Sequence, residues 1–331
     1  MVGLRWSLGA VAALLVGCSD DGTVAAGGSS GGAASTTPGS ASADSSNDSA
    51  GPGGGLTDSA GGSTDGGSTG GGIDPAGSGG TDDAETGEPP ELPWQPKPGT
   101  SWQWQLVDDI DTSLDVEVYD IDLFDTPQST VEALQADGRV VICYFSAGSY
   151  EEWRDDAGDL PPAAIGDPLD GWPGEAWLDH RDAGVRAVMS ARLDLAVSKG
   201  CDAVEPDNVD GYTNPTGFDL TADDQLDYNR WLATQAHERS LSIGLKNDVD
   251  QVEALVDDFD WALNEECVTY EECETASPFI EQGKAVFHVE YVDDTADGPA
   301  LLDTVCPQTS GLGFSTLIKE WDLTVWRLAC P

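Results

Sequence analysis

From Ser101 onward, apolar and polar positions fall into short blocks with two different periods. Eight blocks have the length and the β-branched or aromatic content of strands: 101–106 (SWQWQL), 116–123 (VEVYDIDL), 140–148 (VVICYFSAG), 203–210 (AVEPDNVD), 241–248 (LSIGLKND), 259–267 (FDWALNEEC), 285–292 (AVFHVEYV) and 312–319 (LGFSTLIK). Between them, 129–138 (STVEALQADG), 183–200 (AGVRAVMSARLDLAVSKG), 222–240 (ADDQLDYNRWLATQAHERS) and 250–259 (DQVEALVDDF) read as helices. The second and third are amphipathic at helical spacing, and Ser198-Lys199-Gly200 is a glycine stop. Strands alternating with helices imply a parallel sheet, and eight of them predict a (β/α)8 barrel. A doubly wound open sheet is the competing fold. Its nucleotide-binding forms are disfavoured, because no GxGxxG or GxxxxGK[ST] follows the early strands.

Nearly every strand block starts apolar and finishes on groups that are costly to bury unpaired. The endings are Asp120 and Asp122, Tyr144 and Ser146, Asp207 and Asp210, Lys246 and Asn247, Glu265 and Glu266, Glu290, and Lys319. In a barrel these C-terminal ends open on one face, where active sites are built. The densest is 201–212, CDAVEPDNVDGY, with Glu205, Asp207 and Asp210 packed around a proline. Asp and Pro are poor formers of both strand and helix, so propensity does not explain the segment.

The amino-terminal third is of another kind. Residues 1–18 carry one basic residue, Arg5, an apolar run from Leu8 to Val16, and small residues before Cys18. This pattern predicts a secretory signal peptide, too short for a membrane span. Leu15-Val16-Gly17-Cys18 resembles a bacterial lipobox, which implies cleavage before Cys18, lipid attachment there and anchoring of the exported protein to a membrane. An ordinary signal peptide with an incidental cysteine is the alternative. Residues 19–98 are dominated by Gly, Ser, Ala, Thr and Asp, and predict a disordered linker stiffened at its end by EPPELPWQPKPG. The domain is then 99–331.

Charge narrows the partners. Of 61 acidic residues 12 precede Gly99, leaving 49 against 12 basic ones, a domain charge of about −37. Such a surface repels nucleic acid and anionic lipid and attracts a polycation, although acidity also serves solubility alone. Besides Cys18 there are six cysteines, an even number that in an exported chain favours disulfides over metal sites. Cys267 with Cys273 closes a short loop, and Cys306 with Cys330 ties down the C-terminus. Cys143 and Cys201 then remain, though six cysteines admit 15 pairings.

Two carboxylates facing each other across a pocket are the equipment of a glycosidase, one donating a proton to the leaving oxygen, the other acting as nucleophile or base. Neighbouring carboxylates and Lys246 would separate their roles. Tyr144, Tyr150, Trp153, Trp172, Trp177 and Tyr212 lie on or after the strand ends and offer faces for sugar rings or for packing. Only His180, His237 and His288 occur, with no HExxH spacing, and no GxSxG is present. The segment DNVDGY offers oxygens to calcium but lacks the twelve-residue loop and closing Glu of an EF-hand. No metal and no cofactor are expected.

Taken in order, WQWQL, VYDIDLFDT, VICYFSAGSYEEWR, GCDAVEPDNVDGY, LSIGLKND, ALNEEC and FHVEY resemble the glycoside hydrolase family 114 barrel, the endo-α-1,4-polygalactosaminidase family. The resemblance implies a (β/α)8 fold and metal-free hydrolysis of α-1,4-linked, galactosamine-containing polysaccharide, a cationic amino-sugar polymer where deacetylated. By position it implies Asp207 as nucleophile and Glu265 as acid/base, with retention of configuration. Asp122, Tyr144, Asp210, Tyr212, Lys246, Asn247 and Glu290 are then expected to shape the substrate subsites. Glu265 is preferred to Glu266 because adjacent strand residues point to opposite faces. Glu205 departs from the apolar residue expected there. The chain is expected to act as a monomer. A non-catalytic surface module that holds a cationic polysaccharide, and a hydrolase of another α-glycoside, remain alternatives on the sequence.

Overall fold

The computed structural model describes residues 93–331; the signal peptide expected over 1–18, with Cys18, and nearly all of the linker expected over 19–98 lie outside the described residues. Each predicted strand block contains a strand: β1 (Trp102–Gln105), β2 (Val118–Asp122), β3 (Val140–Ser146), β4 (Ala203–Asp207), β5 (Ser242–Lys246), β6 (Trp261–Glu265), β7 (Val286–Val292) and β8 (Ser315–Glu320). They pair in chain order, every neighbour parallel, as one curled sheet. This is the strand order of a (β/α)8 barrel.

The period-two alternation sorts side chains to the two faces of the curl. Trp102, Trp104, Val118, Ile142, Ala203, Trp261, Leu263, Phe287, Val289 and Leu317 fill the inside. Tyr119, Ile121, Val141, Phe145, Val204, Ile243 and Leu245 face outward into a core shared with the helices. Those helices are α1 (Gln128–Ala136), α2 (Ala183–Lys199), α3 (Ala222–His237), α4 (Val252–Leu255), α5 (Ser277–Glu281) and α6 (Gly298–Thr309). α2 stops at Gly200, whose left-handed backbone (φ +85°) closes the helix as its sequence predicts. α3 starts on a reciprocal Thr221–Asp224 capping box.

Several features depart from the pattern. The helix expected over 250–259 shrinks to α4, and α5 and α6 were not legible as helices. Between β3 and α2 lies a small antiparallel sheet, Ser149–Glu151 with Glu175–Leu178 and Ile165–Pro168. Neither β1 nor β8 is followed by a helix, and no ladder joins them among the described residues. The seam is laced instead by side chains. The Trp102 indole donates to the Ser315 carbonyl (2.8 Å), Gln103 to the Val325 carbonyl (3.0 Å), and the Arg327 guanidinium to the Trp102 carbonyl. This accounts for the outward-facing Gln103, polar where a helix-covered strand is apolar; Gln105, on the same face, donates instead to the Val107 and Asp109 carbonyls of the loop after β1.

The packed body begins before the Gly99 boundary read from composition. Trp94 packs against the inner cluster, and the Ala285 amide donates to the Pro96 carbonyl. The disulfides are Cys143–Cys201, Cys267–Cys273 and Cys306–Cys330. The first joins β3 to the residues leading into β4 across 58 residues of chain. No helix among the described residues is long and apolar enough to cross a membrane.

Candidate active site

The inward positions at the C-terminal strand ends converge on one ammonium. Lys246, at the end of β5 and fully buried, places Nζ 2.9 Å from Glu205, 3.1 Å from Asp207 and 3.2 Å from Glu265. Burial alone would depress this lysine, but Asp207, Glu205 and Glu265 together hold its pKa well above the usual value. The ammonium also lies 4.7 Å from the centre of the Trp104 ring, a cation–π contact on the barrel floor.

Local sequence explains why the carboxylates meet there. Glu205 and Asp207 lie two apart on β4 and so share its inner face, with Glu205 deeper. Pro206 between them has no N–H to donate. The register of β4 with β5 ends at Val204, whereas that with β3 runs on to Asp207. β4 therefore leaves β5 where the lysine must reach across.

Each carboxylate of the facing pair has its own donors. Asp207 accepts from the Tyr144 hydroxyl (3.1 Å) and from the Asn208 amide (2.8 Å). Glu265 accepts from Asn247 Nδ2 (3.1 Å) and from the Tyr291 hydroxyl, while its own amide donates to Asn247 Oδ1 (2.9 Å). Burial and the adjacent carboxylates hold both tyrosines well above the usual phenol value, so each is a neutral hydrogen-bond donor. An oxygen of Asp207 and one of Glu265 touch the same nitrogen, so those two oxygens are separated by at most the sum of their contacts, 6.3 Å.

Around this pair the other expected residues take distinct places. Asp210 lies in the turn after β4 without an ion-pair partner; burial and Asp207 push its carboxyl up to about 6. Tyr212, on the turn Gly211–Thr213, faces Asp248, whose carboxyl is pushed up to about 8 by burial and Asp210. Asp122 reaches the rim but is tied down: Arg154 grips it at 2.8 and 3.1 Å, and the amides of Phe124 and Asp125 cap it. Glu290 does not join the group. β7 turns Phe287 and Val289 inward and leaves Glu290 on the outer face. There its carboxylate accepts from the Val268 and Thr269 amides, the Thr269 hydroxyl and His288. Its role is to pin the loop that follows β6.

Tyr291 takes the inward place that Glu290 was expected to hold. The alternation of FHVEY carried that signal, since Tyr291 shares parity with Phe287 and Val289. Trp321 stacks on the back of Tyr291, ring centres 4.2 Å apart, and is partly exposed beside it. Of the other aromatics proposed for sugar rings, Trp153 and Trp172 are exposed, Tyr150 is half-buried and Trp177 is buried. Glu266 takes a left-handed backbone (φ +57°), so its carboxyl diverges from that of Glu265; burial with Glu290 and Glu265 pushes it up to about 7. The grouping of Cys267, Cys273 and His288 has the spacing of a metal site, but its two sulfurs are joined as a disulfide.

Known proteins match this frame. The model of glycoside-hydrolase family GH114 matches residues 84–331. The crystal structure of Ega3 from Aspergillus fumigatus, in complex with galactosamine, is 46% identical, covers 72% of this chain and 98% of its own, and superimposes with a TM-score of 0.70. The glycoside hydrolase domain of PelA from Pseudomonas aeruginosa shares the fold at 11% identity, covering 69% of this chain and 98% of that one, with a TM-score of 0.56. No curated protein matches the chain.

Proposed function

The chain belongs to glycoside hydrolase family GH114, and we propose that it cleaves galactosamine-containing polysaccharide in an endo-acting, retaining reaction with Asp207 as nucleophile and Glu265 as acid/base. One observation carries this reading: Asp207 and Glu265 share the Lys246 ammonium at 3.1 and 3.2 Å. Retaining pairs stand about 5–5.5 Å apart and inverting pairs about 6.5–9.5 Å. The contact of both carboxylates with one ammonium brings their nearest oxygens within 6.3 Å of each other, which suits a facing pair, and retention is the form of the reaction that belongs to this proposal.

The shared ammonium suits the charge flow of such a reaction. In the first half, Glu265 gives its proton to the leaving oxygen while Asp207 attacks the anomeric carbon. Asp207 loses its negative charge to the new ester bond as Glu265 gains one. Lys246 touches both, so its attraction passes from one to the other without the ammonium moving. The Tyr291 hydroxyl serves both states, accepting from protonated Glu265 and donating to the ionised form. Tyr144 and the Asn208 amide orient the nucleophile. In the second half, water attacks the ester and Glu265 takes its proton.

Substrate charge follows the same logic. Asp210, raised by burial and by Asp207 and making no ion pair, is a carboxyl beside the pair that an amino sugar's ammonium would satisfy. The domain charge of about −37 would draw a polycation toward the cleft in a salt-sensitive way. Export and tethering through Cys18 belong to the same proposal and rest on residues 1–18. Replacing Cys18 with Ala is expected to move the protein from the membrane fraction to the soluble one. The reaction itself is tested on acetylated and deacetylated galactosamine polymers, with products read by mass spectrometry. Internal cleavage by the native chain, lost in Asp207→Asn with binding retained, is the expected result. No cleavage of any such polymer by the native chain overturns it and favours a binding module.

A further inference from the structure

Beneath the facing pair lie two carboxyls that the reaction just described does not use. Asp120 on β2 and Glu205 on β4 are both fully buried. Glu205 Oε1 accepts from Lys246, but Glu205 Oε2 and both oxygens of Asp120 meet no protein donor. Three carboxylate oxygens with no protein donor, at fully buried positions, are too costly to persist as two anions, since even one unpaired buried charge neutralises before it is tolerated. A single shared proton resolves the arrangement: a protonated Asp120 donates to Glu205, which leaves Glu205 ionised against the lysine. Burial and the proximity of Glu205 favour that proton on Asp120.

We propose that Asp120 and Glu205 form a one-proton carboxyl pair that fixes Lys246 between Asp207 and Glu265, and that both act as positioning residues for the reaction. This rests on the assignment of Asp207 and Glu265 above. The groups facing the pair are Asp207 on the strand of Glu205, Tyr144 from β3, Lys246 from β5 and Tyr291 from β7, and Glu265 from β6 meets the same ammonium. Lys246 is the one cation among them, so its position depends on the negative charge beneath it. With Glu205 anionic, the lysine is drawn down and shares its charge among three carboxylates. With Glu205 neutral, it belongs to Asp207 and Glu265 alone.

The first test needs no turnover. Infrared spectra of the native chain in heavy water at neutral pH should show the carbonyl stretch of a protonated carboxylic acid that disappears in Asp120→Asn. Failure to find that band overturns the proposal even if the enzyme is active, and its presence stands even if the substrate assignment fails. The second test is kinetic. Removing the Glu205 charge next to Lys246 in Glu205→Gln should move the acid limb of the kcat/KM profile down by about 1–2 pH units and lower kcat at least tenfold, with KM changed little. Asp120→Ala should lose activity comparably. Asp120→Asn, whose amide restores the donated hydrogen bond, should recover at least tenfold over Asp120→Ala. In the double variant Asp120→Ala/Glu205→Gln the losses should not add, because the pair acts as one unit. An unmoved pH profile in Glu205→Gln, or Asp120→Asn no better than Asp120→Ala, overturns it.

Discussion

Replacing Lys246 with Met removes the central charge of the site while keeping much of its length and apolar stem. Its Nζ contacts lie at 2.9, 3.1 and 3.2 Å. At an effective dielectric near 20, each is worth about 5 kcal/mol of Coulomb attraction. The net is far smaller, because the buried ammonium has given up its hydration. What the variant leaves is the expensive part: three carboxylates in one floor with no cation. Breaking a buried ion pair from one side costs about 3–5 kcal/mol, which for a domain of this size lowers Tm by roughly 6–20 °C.

The pH dependence makes this prediction specific. Burial pushes Glu205 above the usual carboxylate range, and Lys246 pulls it back toward the ionised form. Removing the lysine raises it further. A carboxyl whose folded pKa exceeds its unfolded one, about 4.3, binds protons more readily in the native state. Its stabilising contribution is complete below the unfolded value and is lost as pH climbs through the folded one. The deficit of Lys246→Met relative to the native chain should therefore be largest near pH 8 and shrink toward pH 5 (urea midpoints at each pH measure it). An equal deficit at both, or a larger one in acid, refutes the assignment of the lysine as counter-ion to buried carboxylates. The same variant should lose at least about a hundredfold in kcat, the scale of one electrostatic stabiliser in an active site.

The native domain should itself be acid-stabilised, because Asp210 sits at about 6, Glu175 at about 7 and Asp248 at about 8. Burial raises all three, so Tm should fall as pH rises from 5 to 8; Asp248 alone sets a ceiling on the order of 5 kcal/mol, and a rising Tm contradicts this. Gly148→Ala should cost at least about a hundredfold in kcat, since its Cβ would stand 1.7 Å from the Asn208 carbonyl and displace the residue that orients Asp207. Native kcat in that variant removes the argument. Glu266→Gly should gain about 1 kcal/mol in urea melts by relieving a left-handed backbone while raising KM for a cationic polymer. Unchanged KM dissociates Glu266 from substrate.

Strand ends were readable because burial cost, not propensity, places polar residues there. VYDID, AVEPD and SIGLK each set polar residues at period two toward their ends, WALNE ends on Glu265 in phase with Trp261 and Leu263, and the meeting of Asp207, Lys246 and Glu265 follows once the strands are parallel and in order. Glu290 shows where that reading stops. FHVEY carries His288 and Glu290 on one parity and Phe287, Val289 and Tyr291 on the other, so either set could face the pocket. The charged residue looked like the chemistry. The tertiary partners of Glu290, the amides of Val268 and Thr269, belong to a loop whose path the sequence did not disclose. Asp122 is similar: its fate is fixed by Arg154, 32 residues away in the chain.

The three central strands also share an ending that no propensity scale anticipates. Asn208 follows Asp207 (φ +60°), Asn247 and Asp248 follow Lys246 (φ +47° and +43°), and Glu266 follows Glu265 (φ +57°). Left-handed backbone is available to Asn and Asp at modest cost, because their short polar side chains bond locally. It stops the pleat one residue after the functional side chain, so that side chain is the last to point inward. The turned residue then serves the group before it: the Asn208 amide holds Asp207, and Asn247 both caps the amide of Glu265 and donates to its carboxylate. Glu266 is the exception, a Glu in a conformation that suits Asn or Gly, making no hydrogen bond through its side chain that would offset the strain. The Glu266→Gly variant therefore separates two readings of that residue: a melt that gains stability with KM unchanged leaves Glu266 a strained turn residue, and a raised KM for a cationic polymer ties the strain to its charge.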